Sequence, residues 1–228
     1  MIKLVDLCWS VILTSIWEKA AFLSQRSFTI FQRAVLINIV SLSKVWYTAH
    51  TYPLTIKYVK LITKEIFHFL WQSNYNPIKR EALYQSKDEG GLGIFNVFYK
   101  SQGIFISTFL KQFLNSEENS SLIKFYCALR LNPIFNILEL PINTSVVKSK
   151  FYDNIVTLVR KFIHVKNFPH ISSLNMYIFL LPYCKPTSES LLNVNWKTTW
   201  KNLNYKYVNI HVRDIVFKFL HNILTTKN

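Results

Sequence analysis

The sequence predicts an all-α fold, and three observations carry that prediction. Only 4 glycines occur among 228 residues, whereas all-β sandwiches and barrels need many glycine-bearing tight turns. Apolar residues recur at offsets of three and four through long stretches free of Gly and Pro, which is the period of a helix. Half of the residues are hydrophobic and 17% are charged, enough apolar surface to fold and too little charge for intrinsic disorder. The high aromatic share of 16% is expected to fill that core.

The clearest element spans residues 27–47, where Phe28, Phe31, Val35, Ile39, Leu42 and Trp46 recur at helical spacing and are expected to face inward. On a wheel of about 100° per residue, Arg26, Arg33 and Lys44 fall within roughly 20° of one another, predicting one cationic stripe along this helix. Pro53 ends it and pushes Tyr52 out of helical geometry. A second amphipathic pattern covers Ile56–Trp71, with Val59, Ile62, Ile66 and Phe69 inward. Lys57, Lys60, Lys64 and His68 repeat on its other side. A solvated lysine face is the plain alternative, but only Glu65 supplies opposite charge, where ordinary surface helices mix signs in (i, i+4) pairs.

Asn74, Asn76 and Pro77 mark a turn, with Lys79 and Arg80 after it. Gly90-Gly91-Leu92-Gly93 lacks the spacing of a phosphate-cradling loop and reads as a structural turn. Asn96 is placed to cap a helix over Val97–Leu114, residues 115–121 read as a polar loop, and a helix over 122–131 stops before Pro133. The breaker-rich stretch 133–144 divides an N-terminal unit, 1–132, from a basic C-terminal unit, 145–228. In the latter, Phe151, Ile155, Leu158, Val159 and Phe162 define a helix with Lys148, Lys150, Arg160, Lys161 and Lys166 around it. Residues 167–186 have no legible pattern. Trp196–Leu203 and residues 208–224 read as two last helices, the second packing Val212, Ile215, Val216 and Phe219 inward.

The net charge of +15 attracts polyanions. Residues 19–80 hold nine Lys or Arg against one acid and residues 142–228 twelve against three, while 1–18 and 81–141 are each net negative by one. Two basic blocks suit two contact surfaces, and nucleic acid is the expected partner. Cys8, Cys127 and Cys184 lie far apart without a C-x-x-C pair, which argues against a disulfide framework or zinc knuckle and fits a reducing compartment, nucleus or cytoplasm. The apolar run at 7–17 follows Asp6 and leads into no small-residue cleavage pattern, unlike a signal peptide. No stretch reaches the ~20 apolar residues of a membrane span. Peripheral attachment to anionic membranes through Ile56–Trp71 is a weaker alternative to nucleic acid.

The search for chemistry finds no template. Two-metal polymerisation needs clustered carboxylates, yet Asp6, Asp88, Asp153 and Asp214 are scattered, and Asp88-Glu89 and Glu117-Glu118 sit in turn-like sequence. The six histidines show no H-x₃-H or H-E-x-x-H spacing, and no G-x-S-x-G element poises a nucleophile. No catalytic residue, metal or cofactor is expected.

One resemblance adds to this. The run Arg33-Ala34-Val35-Leu36-Ile37-Asn38, then Leu42-Ser43-Lys44-Val45-Trp46-Tyr47 and Pro53-Leu54, resembles the thumb of LINE-type (non-LTR) retrotransposon reverse transcriptases. Phe67-x-Phe69-Leu70-Trp71, Ile78-Lys79-Arg80-x-x-Leu83 and Lys87-x-x-Gly90-Gly91-Leu92-Gly93-Ile94-x-Asn96 with Lys100 are similar to the block beyond that thumb. Together they cover roughly residues 15–115. A fainter likeness lies at Trp196-Lys197-x-x-Trp200 and Arg213-x-x-x-Phe217-Lys218-Phe219-Leu220-His221-x-x-Leu224-x-Thr226, which in the family leads into a zinc-binding segment. The resemblance implies a helical thumb-like bundle followed by further helices, gripping a template-primer backbone behind an active site held elsewhere. Fingers, palm and their catalytic aspartates have no counterpart here, so a non-catalytic fragment is expected, acting if at all with a separate polymerase piece. Gln32 stands where the family favours glycine, which leaves the start of the helix open.

The expected phosphate contacts are Arg26, Arg33, Lys44, Lys57, Lys60 and Lys64, with Lys79 and Arg80 beside them. They would position RNA, DNA or a hybrid without reading bases. Arg33 and Lys44, on a largely buried helix, could instead pair with an acid or snorkel to the surface. The alternative is a truncated remnant with no more than a structural or self-associating role, driven by exposed apolar surface.

Overall fold

The computed structural model describes residues 2–114, 172–182, 195–221 and 223. Among these residues the regular elements are helices and no strand occurs, in agreement with the predicted all-α class. The loop expected at 115–121, the helices at 122–131 and 151–162, and the breaker-rich stretch 133–144 lie outside the described residues.

The chain forms two compact units, one of Met1–Tyr47, Leu54–Phe98 and Leu181–Asn228, the other of Thr48–Pro53 and Tyr99–Leu180. This differs from the sequential division expected at 133–144. The physical reason is that the last two helices bury Trp200 and Phe217 against N-terminal segments rather than around a core of their own.

In the first unit, α1 (Ile2–Ser24) buries Trp9, Ile12 and Ile16 at steps of three and four. Its partner is α4 (Ile56–Trp71), which buries Tyr58, Ile62, Ile66, Phe67, Phe69 and Leu70. Each such aliphatic or aromatic side chain contributes about 1.5–3 kcal/mol when fully buried. The Tyr58 hydroxyl donates to the Asp6 carbonyl at 2.8 Å, so the ring is buried without stranding its polar end.

Helix α2 (Ile30–Leu36) opens with a capping box: Thr29 accepts from the Gln32 amide, and the Gln32 side chain accepts from the Thr29 amide at 2.9 Å. Gln32 therefore fixes where the helix begins, three residues later than the periodicity suggested. A π turn, Ile37–Ser41, follows, closed by Leu42 N donating to Ile37 O at 2.9 Å, and α3 (Ser43–Ala49) continues from it.

The expected inward face holds only in part. Val35 and Ile39 are 41% and 67% exposed. The buried face is Ile30, Phe31, Ala34 and Ile37, continued by Leu42, Val45 and Ala49, so of the recurring set Phe31 and Leu42 are buried and Phe28 and Trp46 half-buried. A π turn carries about one residue more than an α turn, so the five-residue step from Ile37 to Leu42 keeps both on one side.

Short elements α5 (Arg80–Leu83) and a 3₁₀ turn, Lys87–Glu89, lead into the glycine cluster. Asn38, projecting from the π turn, anchors the end of that cluster by donating to Gly93 O at 2.8 Å and accepting from Phe95 N at 3.1 Å. Helix α6 (Val97–Leu114) starts as expected at Asn96, whose side chain accepts from Phe98 N at 3.0 Å.

In the second unit, residues of α6 pack on α7 (Ser173–Leu180), the helix that occupies the stretch without a legible pattern. A Cβ at Gly103 would stand 3.0 Å from Ser173 O, so the glycine permits the close approach that buries Ile106 and Met176. His50 Nδ1 and Thr108 Oγ1 lie 2.7 Å apart in the same unit.

The closing helices of the first unit are α8 (Trp196–Leu203) and α9 (Ile210–Leu220), capped by Asn195 and Asn209. The predicted inward face of α9 is wrong. Val212, Ile215 and Phe219 are exposed, while Asp214, Phe217 and His221 are buried. Asp214 Oδ1 accepts from Ile30 N at 3.0 Å and its Oδ2 pairs with Lys218 at 2.8 Å; His221 meets Gly90 O at 3.0 Å. Satisfied polar groups can take interior positions that hydropathy alone assigns to aliphatic residues. No described helix is long and apolar enough to cross a membrane.

Candidate nucleic-acid interface

Helix α4 places Lys57, Lys60 and Lys64 on its outer side, all exposed, while Ile62, Ile66 and Phe69 are buried. Lys57 to Lys64 spans about 10 Å along the axis. None of the three forms an ion pair or hydrogen bond with a described residue; Lys57 only approaches the Tyr58 ring, 5.3 Å from its centre. The first turn of α4 holds no acid, so Lys57 opposes the positive end of the helix dipole, an arrangement that costs about 0.3–1 kcal/mol. An anion laid along this face would remove both that conflict and the mutual repulsion of the lysines.

The stripe expected from Arg26, Arg33 and Lys44 does not form. Arg26 lies before α2, at the end of α1, with its guanidinium 5.6 Å from the centre of the Phe22 ring. Lys44 follows the π turn, which changes its phase relative to Arg33, and donates to Ser15 Oγ at 2.7 Å. Arg33 is half-buried and donates from Nη1 to Leu70 O at 3.0 Å, in the last turn of α4. Burial pushes its pKa below the ordinary value, opposed by the nearby Asp214 carboxylate. It thus acts inside the protein, as a cation on the carbonyl end of α4.

Lys79 is exposed at the start of α5. Arg80 is half-buried with its guanidinium 5.0 Å from the centre of the Phe67 ring. It shares with Lys64 and His68 a recess of about 350 Å³ behind the C-terminal end of α4. The structure therefore gathers Lys57, Lys60, Lys64 and Arg80 around one helix and separates Arg26, Arg33 and Lys44 from them. Ser73, Asn74 and Asn76 also line the recess. By sequence they are turn residues, and their only signal of a further role is polarity directly after a basic helix.

The glycine cluster serves docking. The Trp200 indole lies on Gly90, and Asn204 Nδ2 donates to Lys87 O at 2.8 Å. Phe217 meets Phe31 edge-on at 5.3 Å. Among the described residues no three His, Cys, Asp or Glu side chains come together to hold a metal ion. No protein-family model matches the chain, and neither the curated proteins nor the solved structures include a significant match to it.

Proposed function

We propose that this chain is a non-catalytic nucleic-acid-binding module that grips the backbone of RNA or an RNA–DNA template-primer without reading sequence, as a thumb fragment of a LINE-type reverse transcriptase would. One observation carries the proposal: Lys57, Lys60 and Lys64 stand exposed on a single face of α4 with no ion-pair partner among the described residues. Arg80 lines a recess with Lys64 at the end of that helix, and the exposed Lys79 precedes it in the chain, so up to five cations are available to a backbone. Phosphate contacts of this kind position a duplex and carry no base information.

Fluorescence anisotropy of the purified chain with a labelled RNA–DNA hybrid across a salt series tests it. The slope of log K on log salt is expected near −4, about 0.9 for each phosphate neutralised. Replacing Lys57, Lys60 and Lys64 with Glu should abolish binding at moderate salt, and a nucleotide-incorporation assay run alongside should give no product. A flat salt response, or unchanged affinity in the triple variant, overturns the proposal.

A structural or self-associating remnant is the second reading, favoured by the exposed Leu7, Val11, Trp17 and Phe22 of α1. Concentration-dependent association without affinity for nucleic acid would support it.

A further inference from the structure

We infer that the recess behind the end of α4 is a phosphate-binding site, the terminal seat of the track laid out by Lys57, Lys60 and Lys64. The inference rests on the proposed backbone-gripping role and assigns a specific pocket to it.

The recess is built by a sharp change of direction. Gln72 takes a left-handed conformation, with φ 51°, and ends α4. The chain then turns through Ser73–Asn76 and returns to place Arg80 beside the helix it has just left. The walls supply hydrogen-bond donors and positive charge. Lys64 and His68 line the recess from successive turns of α4, together with Phe67, Arg80, Ser73, Asn74 and Asn76. Among the described residues no acid lines it: Glu65 and Glu18 line a neighbouring groove that shares His68 with the recess, and Glu81 is exposed.

Two details suit a phosphate more than generic solvent. Arg80 has its guanidinium carbon 5.0 Å from the centre of the Phe67 ring, a contact that restrains the side chain beside the recess before a ligand arrives. A guanidinium is the side chain suited to two-point capture of phosphate oxygens. Ser73 Oγ already accepts from Tyr75 N at 3.1 Å, so its own proton is available to an incoming oxygen. Because Lys64 belongs both to the exposed lysine row and to the recess, a strand following the row would deliver a phosphate into it.

Two measurements on the full chain decide the matter. In ¹H–¹⁵N spectra, inorganic phosphate should shift the Arg80 Nε and His68 ring signals, and chloride at equal ionic strength should not. Equal responses to the two salts overturn the pocket, whatever the chain does with nucleic acid. In the hybrid-duplex assay, Arg80→Gln should weaken binding about three- to ten-fold and lower the salt slope by about 1, and Arg80→Lys should recover part of the loss. Unchanged affinity in Arg80→Gln, alongside lost binding in the Lys57, Lys60 and Lys64 triple variant, overturns the pocket and leaves the helix-face proposal standing. Loss of the helix-face proposal would appear instead as a hybrid that the unmodified chain does not bind, with the phosphate-induced shifts still deciding the pocket.

Discussion

The indole of Trp200 occupies the space that a side chain on Gly90 would need. A Cβ built there would stand 2.6 Å from Trp200 Cε2, and Gly90 has φ +79°. The indole also stacks on the His221 ring, with centroids 5.3 Å apart, and on Trp196 at 5.9 Å. One glycine thus joins a turn of the N-terminal segment to two C-terminal helices. Gly90→Ala is expected to cost about 2–4 kcal/mol, combining a left-handed conformation on a residue with a side chain and overpacking. Gly93 has φ +64° and nothing within 4 Å of its Cβ position, so Gly93→Ala should cost only the conformational part, about 1–2 kcal/mol. Urea unfolding followed by circular dichroism measures both, and equal losses would mean the Trp200 contact contributes nothing.

Asp214 caps a helix distant in sequence. Its carboxylate takes the Ile30 amide at the start of α2 and the Lys218 ammonium on α9. Asp214→Ala leaves a buried N–H unpaired and should cost about 1–3 kcal/mol. In a double-mutant cycle with Lys218→Ala, the half-exposed ion pair should account for less than about 1 kcal/mol of that. A coupling energy equal to the whole loss would show that the amide contact has no weight.

His221 predicts the sign of a pH effect. Burial pushes its pKa below the ordinary 6.5, more strongly than its bond to Gly90 O raises it. That bond requires Nε2 to carry the proton, because a carbonyl only accepts. The unfolded chain then binds a proton that the folded chain resists, so stability is complete above about pH 6.5 and falls as the pH drops from there towards the folded-state value. Urea midpoints measured from pH 8 to pH 5 should decline less steeply in His221→Gln than in the unmodified protein. Parallel declines would refute this assignment.

Arg33 separates folding from binding. Because its guanidinium is spent on Leu70 O, Arg33→Met should lower stability by about 1–2 kcal/mol yet change hybrid affinity by less than about three-fold. The Lys57, Lys60 and Lys64 reversal should do the opposite. A large affinity loss in folded Arg33→Met would return this residue to the contact face.

How much was legible in the sequence differs from element to element. Helix α4 was legible in its limits, in the exposure of its lysines and in three of the four residues expected inward, Ile62, Ile66 and Phe69, while Val59 is only half-buried and Tyr58 takes the interior place at that turn. The helical class, the cap at Asn96 and the turn role of the glycine cluster came likewise from local chemistry: sparse glycine, a side-chain acceptor before an apolar run, and glycines outside any phosphate-loop spacing. Those properties belong to a few neighbouring residues, so the chain itself determined them.

Only the tertiary structure decided the rest. The π turn sets which side of the residues after Ile37 is buried, and it packs against α4, which no local period records. Asp214 and His221 face inward because partners 184 and 131 residues away satisfy them, and Arg33 leaves the cationic set because Leu70 O, 37 residues on, accepts its proton. A sequence sets which groups a chain owns and their local rhythm. Which donor meets which acceptor across the fold depends on how its helices come together.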